Sequence, residues 1–210
     1  MYRLPFENLE KADKEEVLTI IQETKNRLTE LRDIMEHPDY KCTKCPSELT
    51  MYKCERDFLN MAINRYFALG GEYKYDDKEL SDIEFNDKLE EIVKISLRNG
   101  CWYEYNPNVI IEFSGEKIIC KNFAGIDYVE KVVEYDKESF LYELGNLHIG
   151  EWDEEYSTEH FNLHCLDGTA WELQIEYKDG TKRVYFGNNA YPYNFNELLN
   201  LLGENEKEIE

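Results

Sequence analysis

The sequence predicts an α+β protein whose N-terminal helical part, of about three helices, packs on a C-terminal antiparallel sheet with two short helices. Apolar residues recur every three or four positions in the first half and alternate with polar residues in the second. Helices that precede hairpins in this way favour α+β. We expect a helical region at 1–100, a sheet region at 101–203 and an acidic tail at 204–210, with one compact domain overall as the alternative.

Two long helices are predicted first. Asp13-Lys14-Glu15-Glu16 is a capping arrangement that begins an apolar stripe, so a helix should run to about Glu36, where a His-Pro pair ends it. The second helix should cover Pro46–Leu69 and end at Gly70-Gly71.

The polar segment Glu72–Glu84 is expected to be a loop. A third helix is predicted over Asn86–Asn99, with Gly100 following its last turn. The spacing of four apolar residues supports this helix: Leu89, Ile92, Val93 and Leu97.

Strand patterns begin after residue 100. Val109–Phe113 and Lys117–Cys120 predict a hairpin, and Val129–Tyr135 predicts a further strand. Asp136 can cap a short helix, and Ile149–Trp152 is expected to form another strand.

The last third predicts a hairpin followed by a helix. Trp171–Lys178 alternates apolar and polar residues, Asp179-Gly180 suits a two-residue turn, and Thr181–Phe186 should return as the partner strand. Pro192 should open the final helix, which Gly203 ends.

This C-terminal part carries a resemblance. Its pattern is Trp171-x-Leu173-x-Ile175-x-Tyr177-x-Asp179-Gly180, then Gly187-x-Asn189-Ala190-Tyr191-Pro192-x-Asn194-Phe195-x-x-Leu198-Leu199. The pattern resembles that of a family of small bacterial proteins of the Firmicutes type with no assigned activity. The resemblance covers about the last third of the chain and implies a lineage, without catalytic residues.

Charge is unevenly distributed. Residues 1–70 hold 13 acidic and 11 basic side chains, whereas the remainder holds 32 and 13, within a total net charge of −21. Such a surface repels phosphate backbones, which argues against direct nucleic-acid binding and favours a protein partner with a basic surface. The sequence has neither a secretory signal nor an apolar run of about 20 residues, so we expect a cytoplasmic protein without membrane attachment.

The densest anionic and aromatic segment is Trp152-Asp153-Glu154-Glu155-Tyr156. Exposed carboxylates beside aromatic rings can bind a cationic protein surface. We therefore predict that this segment is the partner-binding site.

Cysteines suggest a metal site. Cys42-x-x-Cys45 has the spacing of two zinc ligands, Cys54 follows about two helical turns into the next helix, and His37 or Cys101 could be the fourth ligand. Four protein ligands would make this zinc structural, and no other cofactor is expected. A redox pair and ordinary buried or idle thiols are the alternatives.

A second histidine and cysteine group lies at His160, His164 and Cys165, where a loop or strand pattern argues against a metal centre. No nucleotide-binding or hydrolase motif is present in the sequence, and no catalytic residue is predicted.

These observations favour a non-enzymatic acidic protein that binds another macromolecule, as an inhibitor or immunity-type protein that occupies a cationic surface. The alternative is a small enzyme or zinc-stabilised protein whose site assembles only in the fold. It requires a concave pocket in which His148, His160, His164 or a few acids converge. A structural component of a larger assembly is a third interpretation.

Overall fold

The structure, a computed structural model, describes residues 6–101, 106–115, 117–123, 128–133, 136–161, 163 and 168–203. They form two compact units, one up to Tyr75 and one from Asp76 onward. The predicted α+β class is confirmed, because helices precede the sheet along the chain. The predicted acidic tail at 204–210 lies outside the described residues.

The first unit is helical, with α1 at Phe6–Lys11, α2 at Lys14–Glu36 and α3 at Glu48–Ala68. The capping prediction is confirmed: the Asp13 carboxylate accepts from the Glu16 amide, and the Glu16 carboxylate accepts from the Asp13 amide. Both long predicted helices are therefore present, whereas α1 was not predicted.

The two long helices bury their apolar stripes against each other. Buried residues of α2 and α3 include Val17, Ile21, Leu28, Tyr52, Phe58 and Ala62. Burying a large aliphatic or aromatic side chain contributes roughly 1.5–3 kcal/mol, so this interface is the main apolar stabilisation of the unit.

The second unit contains three helices and seven strands in its described residues. They are α4 (Asp77–Asp87), β1 (Ile92–Cys101), β2 (Val109–Ser114), β3 (Lys117–Phe123), β4 (Tyr128–Val133), α5 (Lys137–Asn146), β5 (Glu155–Ser157), β6 (Thr169–Tyr177), β7 (Lys182–Asn188) and α6 (Phe195–Leu202).

The strands form one sheet in the order β4-β3-β2-β1-β6-β7-β5. Neighbours are antiparallel except β5 and β7, which pair in parallel and make the sheet mixed. The predicted hairpins β2/β3 and β6/β7 are confirmed, as are α5 and α6. Gly180 has a φ of 84° in the second hairpin turn, a value that favours glycine.

The core of this unit lies on one face of the sheet. Alternate residues of the central strands, such as Ile95 on β1 and Leu173 on β6, are buried there. Leu144 of α5 and Leu198 of α6 belong to the same core. The two helices therefore cover the apolar face that the strand alternation creates.

The predicted third helix over Asn86–Asn99 is wrong, because Ile92–Cys101 is the central strand β1. A register shift between Ile92 and Lys94 bulges the strand, so Ile92 and Ile95 are both buried. This places buried residues three apart, which is the spacing of a helix face.

The predicted loop at Glu72–Glu84 is also wrong from Asp77 onward, where α4 begins. Asp76 and Glu79 form the same reciprocal cap that begins α2. The helix is not apparent from apolar periodicity, because two of its three large apolar residues, Leu80 and Ile83, are exposed and only Phe85 is buried.

The predicted strand at Ile149–Trp152 is a short 3₁₀ turn, Ile149–Glu151. Gly150 allows this turn to lie directly against α4. A Cβ there would be 2.4 Å from the Asp82 Cα and 2.7 Å from the Ser81 carbonyl oxygen. The Ser81 hydroxyl donates to the Gly150 carbonyl at 2.7 Å and fixes the contact.

We predict that Gly150→Ala lowers the free energy of unfolding by about 2–3 kcal/mol, because backbone rather than a flexible side chain blocks the added methyl group. The control is Gly180→Ala, which meets no atom within 4 Å and should cost about 1 kcal/mol for its positive φ alone. Urea unfolding measures both values. Equal losses in the two variants would contradict the close approach.

Candidate functional site

The two aromatic residues of the predicted partner-binding segment are buried in the core. Trp152 is 6% exposed and Tyr156 is 7% exposed. The indole of Trp152 donates from Nε1 to the Asn194 Oδ1 at 3.0 Å, and its ring packs edge-on against Trp171. The prediction that Trp152 and Tyr156 contact a partner is wrong, because other aromatic residues cover both rings, which instead anchor the segment. The binding role of the carboxylates between them stays a prediction.

The three carboxylates between these anchors are exposed: Asp153, Glu154 and Glu155. The Asp153 amide donates to the Tyr156 hydroxyl at 3.2 Å. The Phe186 amide of β7 donates to the Glu154 carbonyl at 3.0 Å, immediately before β5 joins the sheet. The backbone of this acidic segment is therefore held by the core on both sides while its charges face water.

Helix α4 lies beside this segment. The Lys78 Nζ is 2.8 Å from an Asp153 carboxylate oxygen. Asp76 and Asp77, which begin the helix, are also exposed. The contact joins two acidic stretches that are far apart in sequence.

We call the five exposed acids Asp76, Asp77, Asp153, Glu154 and Glu155 the acidic surface. Residues from Asp76 onward contain 31 acidic and 12 basic side chains, a net charge of −19. The α4 contribution was missed because this segment was predicted to be a loop. The Asp76-x-x-Glu79 capping pattern was the signal that could have placed it on a helix.

A buried carboxylate on α4, that of Asp82, contacts His148. His148 is the only histidine of the second unit whose side chain the structure describes. An Asp82 oxygen lies 2.7 Å from the Nδ1 of His148, and Asp82 is 6% exposed. His148 adopts a φ of 51°, the left-handed region that non-glycine residues rarely occupy. The carboxylate orients the ring and can fix its tautomer, as in an acid–base pair.

Two further histidines, His160 and His164, follow this pair in the sequence. The His160 side chain, His164 and Cys165 lie outside the described residues. A shallow depression in the described surface is lined by Lys11 and Glu16 of the first unit, so it does not contain the His148 pair.

The predicted zinc ligands do not form a cluster as placed. Cys42 and Cys45 are exposed, Cys54 is half-buried, and none of the three thiols is in a disulfide. His37 accepts from the Asp39 amide through Nδ1 at 3.2 Å. Among the described side chains, no three of His, Cys, Asp or Glu are arranged to hold a metal ion. The zinc site stays a prediction. It requires these ligands to move together when the ion binds.

Near the cysteines, the carboxylate of Glu48 contacts two other side chains. The Tyr40 hydroxyl donates to Glu48 at 2.9 Å, and the Lys44 Nζ lies 2.8 Å from the same carboxylate. The hydrogen bond from Lys44 lowers the pKa of Glu48, which stays ionised in its buried position. These contacts tie the segment before α3 to the first turn of that helix.

Comparison with protein-family models, curated proteins and solved structures gives no match for this chain. Within the described part of the chain, none of the helices is both long and apolar enough to cross a membrane. Fold and site together define an α+β protein whose sheet-containing unit carries an acidic surface.

One ionisable group of α3 gives a pH prediction. Glu55 is fully buried, with the Arg27 guanidinium 3.4 Å away, and burial raises the pKa of Glu55. The folded state therefore holds this proton more tightly than the unfolded chain, and stability falls as pH rises through the folded pKa.

We predict that Glu55→Gln is more stable than the wild type at pH 7, by roughly 1 kcal/mol, because no buried charge has to form. The difference should vanish below the ordinary glutamate pKa. Urea unfolding between pH 3.5 and 8 tests this, with exposed Glu30→Gln as the control. A variant that is destabilised equally at all pH values would contradict it.

Proposed function

We propose that this protein binds a protein partner with a basic surface through the acidic surface, as an inhibitor or immunity-type protein that blocks a cationic site. The observation that carries the proposal is the 2.8 Å contact between Lys78 and Asp153. It places the acidic start of α4 beside the acidic segment that precedes β5. Charges from two distant parts of the chain thus act on one region of the surface.

The charge distribution supports a cationic partner. The first unit, residues 1–75, contains 14 acidic and 12 basic side chains and is nearly neutral, so the second unit carries almost all the negative charge. A field of one sign accelerates association with a partner of opposite charge and repels phosphates. The same field therefore favours a basic protein over a nucleic acid.

The anchoring of the acidic segment supports specific binding. Buried Trp152 and Tyr156 flank Asp153, Glu154 and Glu155, so the backbone of the segment is ordered before any partner arrives. A preordered segment loses less conformational entropy on binding than a flexible acidic tail. An inhibitor that occupies a cationic groove benefits directly from this arrangement.

We also propose a cytoplasmic location and a common lineage with the small Firmicutes family. Exposed free thiols at Cys42 and Cys45 support a reducing compartment. Three residues of the C-terminal pattern have packing roles in this structure: Trp171, Gly187 and Asn194. These roles support a fold shared with that family and assign no activity to these residues.

A second candidate is a small enzyme that uses the Asp82–His148 pair. The 2.7 Å contact resembles the base–orienter half of an acid–base site. Loss of a measured activity in His148→Gln, with unchanged binding of a basic peptide, would support it over the acidic surface.

We predict that neutralising the acidic segment by Asp153→Asn, Glu154→Gln and Glu155→Gln weakens binding of a synthetic Lys/Arg-rich peptide about tenfold at low salt. The control removes the same number of exposed acids from α2, by Glu23→Gln, Glu30→Gln and Asp33→Asn. Isothermal titration calorimetry gives both affinities.

The control triple should change the affinity less than about twofold, because its charges lie in the nearly neutral unit. If both triples weaken binding equally, only total charge matters, and the acidic surface is not the binding site.

A further inference from the structure

Helix α4 has two of its three large apolar side chains outward. Its large apolar side chains are Leu80, Ile83 and Phe85. Leu80 is 50% exposed and Ile83 is 41% exposed, whereas Phe85 is fully buried. The charged Asp82 occupies the buried side instead. The helix therefore exposes two aliphatic side chains and buries a carboxylate. A helix that only packs on the core of its own domain does the reverse.

The exposed residues form one continuous stripe. Asp76, Leu80, Ile83 and Asp87 follow one another at intervals of four, three and four positions, and such residues lie above one another on a helix. We call these four residues the outer face of α4. The apolar pair lies in the middle of this face, with a carboxylate at each end.

Further acids border the outer face. Asp77 and Glu84 lie along one side of the stripe, seven positions apart, and Glu79 lies along the other. The carboxylate of Glu84 contacts Lys88 at 2.8 Å, which lowers the pKa of Glu84 and keeps it ionised. Carboxylates therefore border the apolar pair at both ends and along both sides, with Glu84 paired to Lys88 and to Arg183 at 3.7 Å.

This arrangement favours a partner segment that has both apolar and basic residues. A purely basic segment would satisfy the carboxylates and leave Leu80 and Ile83 in water, whereas a purely apolar one would desolvate the carboxylates. A second copy of this face would bring like charges together. A segment that carries apolar residues in a stripe with Lys or Arg on both sides satisfies both requirements.

We propose that the outer face of α4 is the docking site for a basic amphipathic helix of a protein partner. This rests on the proposed function and specifies its partner class. The eleven residues of α4 are about 16 Å long, which matches about three turns of a partner helix. Apolar residues of the partner four apart cover Leu80 and Ile83, and its cations reach Asp76 and Asp87 at the two ends.

The Lys78–Asp153 contact extends the site beyond the helix. Lys78 is two positions from both Asp76 and Leu80, so the acidic segment at 153–155 lies around the helix from the outer face, near its first turn. The outer face thus supplies apolar contact and register, while the acidic surface supplies long-range attraction.

The test uses two synthetic peptides of 18 residues with identical Lys, Leu and Ala composition. One places Leu at helical spacing, and the other has the same residues scrambled. Fluorescence anisotropy at 0.15 M salt measures both affinities for the wild type, for Leu80→Gln with Ile83→Gln, and for the triple neutralised at 153–155. The matched control is Leu18→Gln with Ile34→Gln, an equally exposed aliphatic pair on α2.

For the wild type we expect the ordered peptide to bind about tenfold more tightly than the scrambled one. The α4 double variant should abolish this ratio, and the α2 double variant should preserve it. A ratio near one in the wild type, or a ratio unchanged in the α4 variant, overturns the docking site. If the α4 double variant unfolds by circular dichroism, Leu80→Ala alone is measured, and it should reduce the ratio.

The two proposals fail differently. If both peptides bind equally and the triple neutralised at 153–155 weakens both, the docking site is overturned and the proposed function stands. If that triple weakens neither peptide, the proposed function is overturned as well.

Discussion

The packing of Trp171 is the constraint on which the second unit depends. Its indole on β6 donates from Nε1 to the Ala190 carbonyl at 2.8 Å and packs against Phe195 of α6, with ring centroids 4.8 Å apart. A Cβ at Gly187 would lie 2.5 Å from that nitrogen, so β7 must have a glycine where it passes the ring. One side chain thereby fixes a strand, its neighbour and the entry into the last helix.

The same aromatic cluster determines where the acids are displayed. Trp152 packs on Trp171 and donates to Asn194, whose amide in turn donates to the Leu147 carbonyl at 2.6 Å. Because these buried donors and acceptors are paired, Trp152 has a defined position. The carboxylates that begin at Asp153 consequently leave the core at a fixed point, so packing and surface electrostatics are coupled in this unit.

An element of this fold could be predicted where its local sequence pattern matches the structure that it forms. The alternation of Trp171–Tyr177 in β6, the Asp179-Gly180 turn and the cap at Asp13 were sufficient because local pattern and structure agree there. β1 was mistaken for a helix because its bulge places Ile92 and Ile95 on the same side. No local rule reports a bulge that arises from pairing with two other strands.

The candidate site was only partly predictable for a related reason. The carboxylates at 153–155 were found as a run of charge, but composition cannot show that Trp152 and Tyr156 beside them are buried. The α4 half of the site depends on the Lys78–Asp153 contact, which joins segments far apart in sequence. Such contacts are set by tertiary packing and leave no periodic trace in the sequence.

The inverted orientation of α4 has a structural cause that links these features. Asp82 faces inward and holds His148, whose left-handed backbone turns the chain into Ile149–Glu151. That turn passes against α4 at Gly150 and delivers Trp152 to the core. With Asp82 and Phe85 inward, the helical period places Leu80 and Ile83 outward. Asp82 and Gly150 therefore fix the inner side of α4, and the exposed apolar pair lies on the opposite side of the same helix.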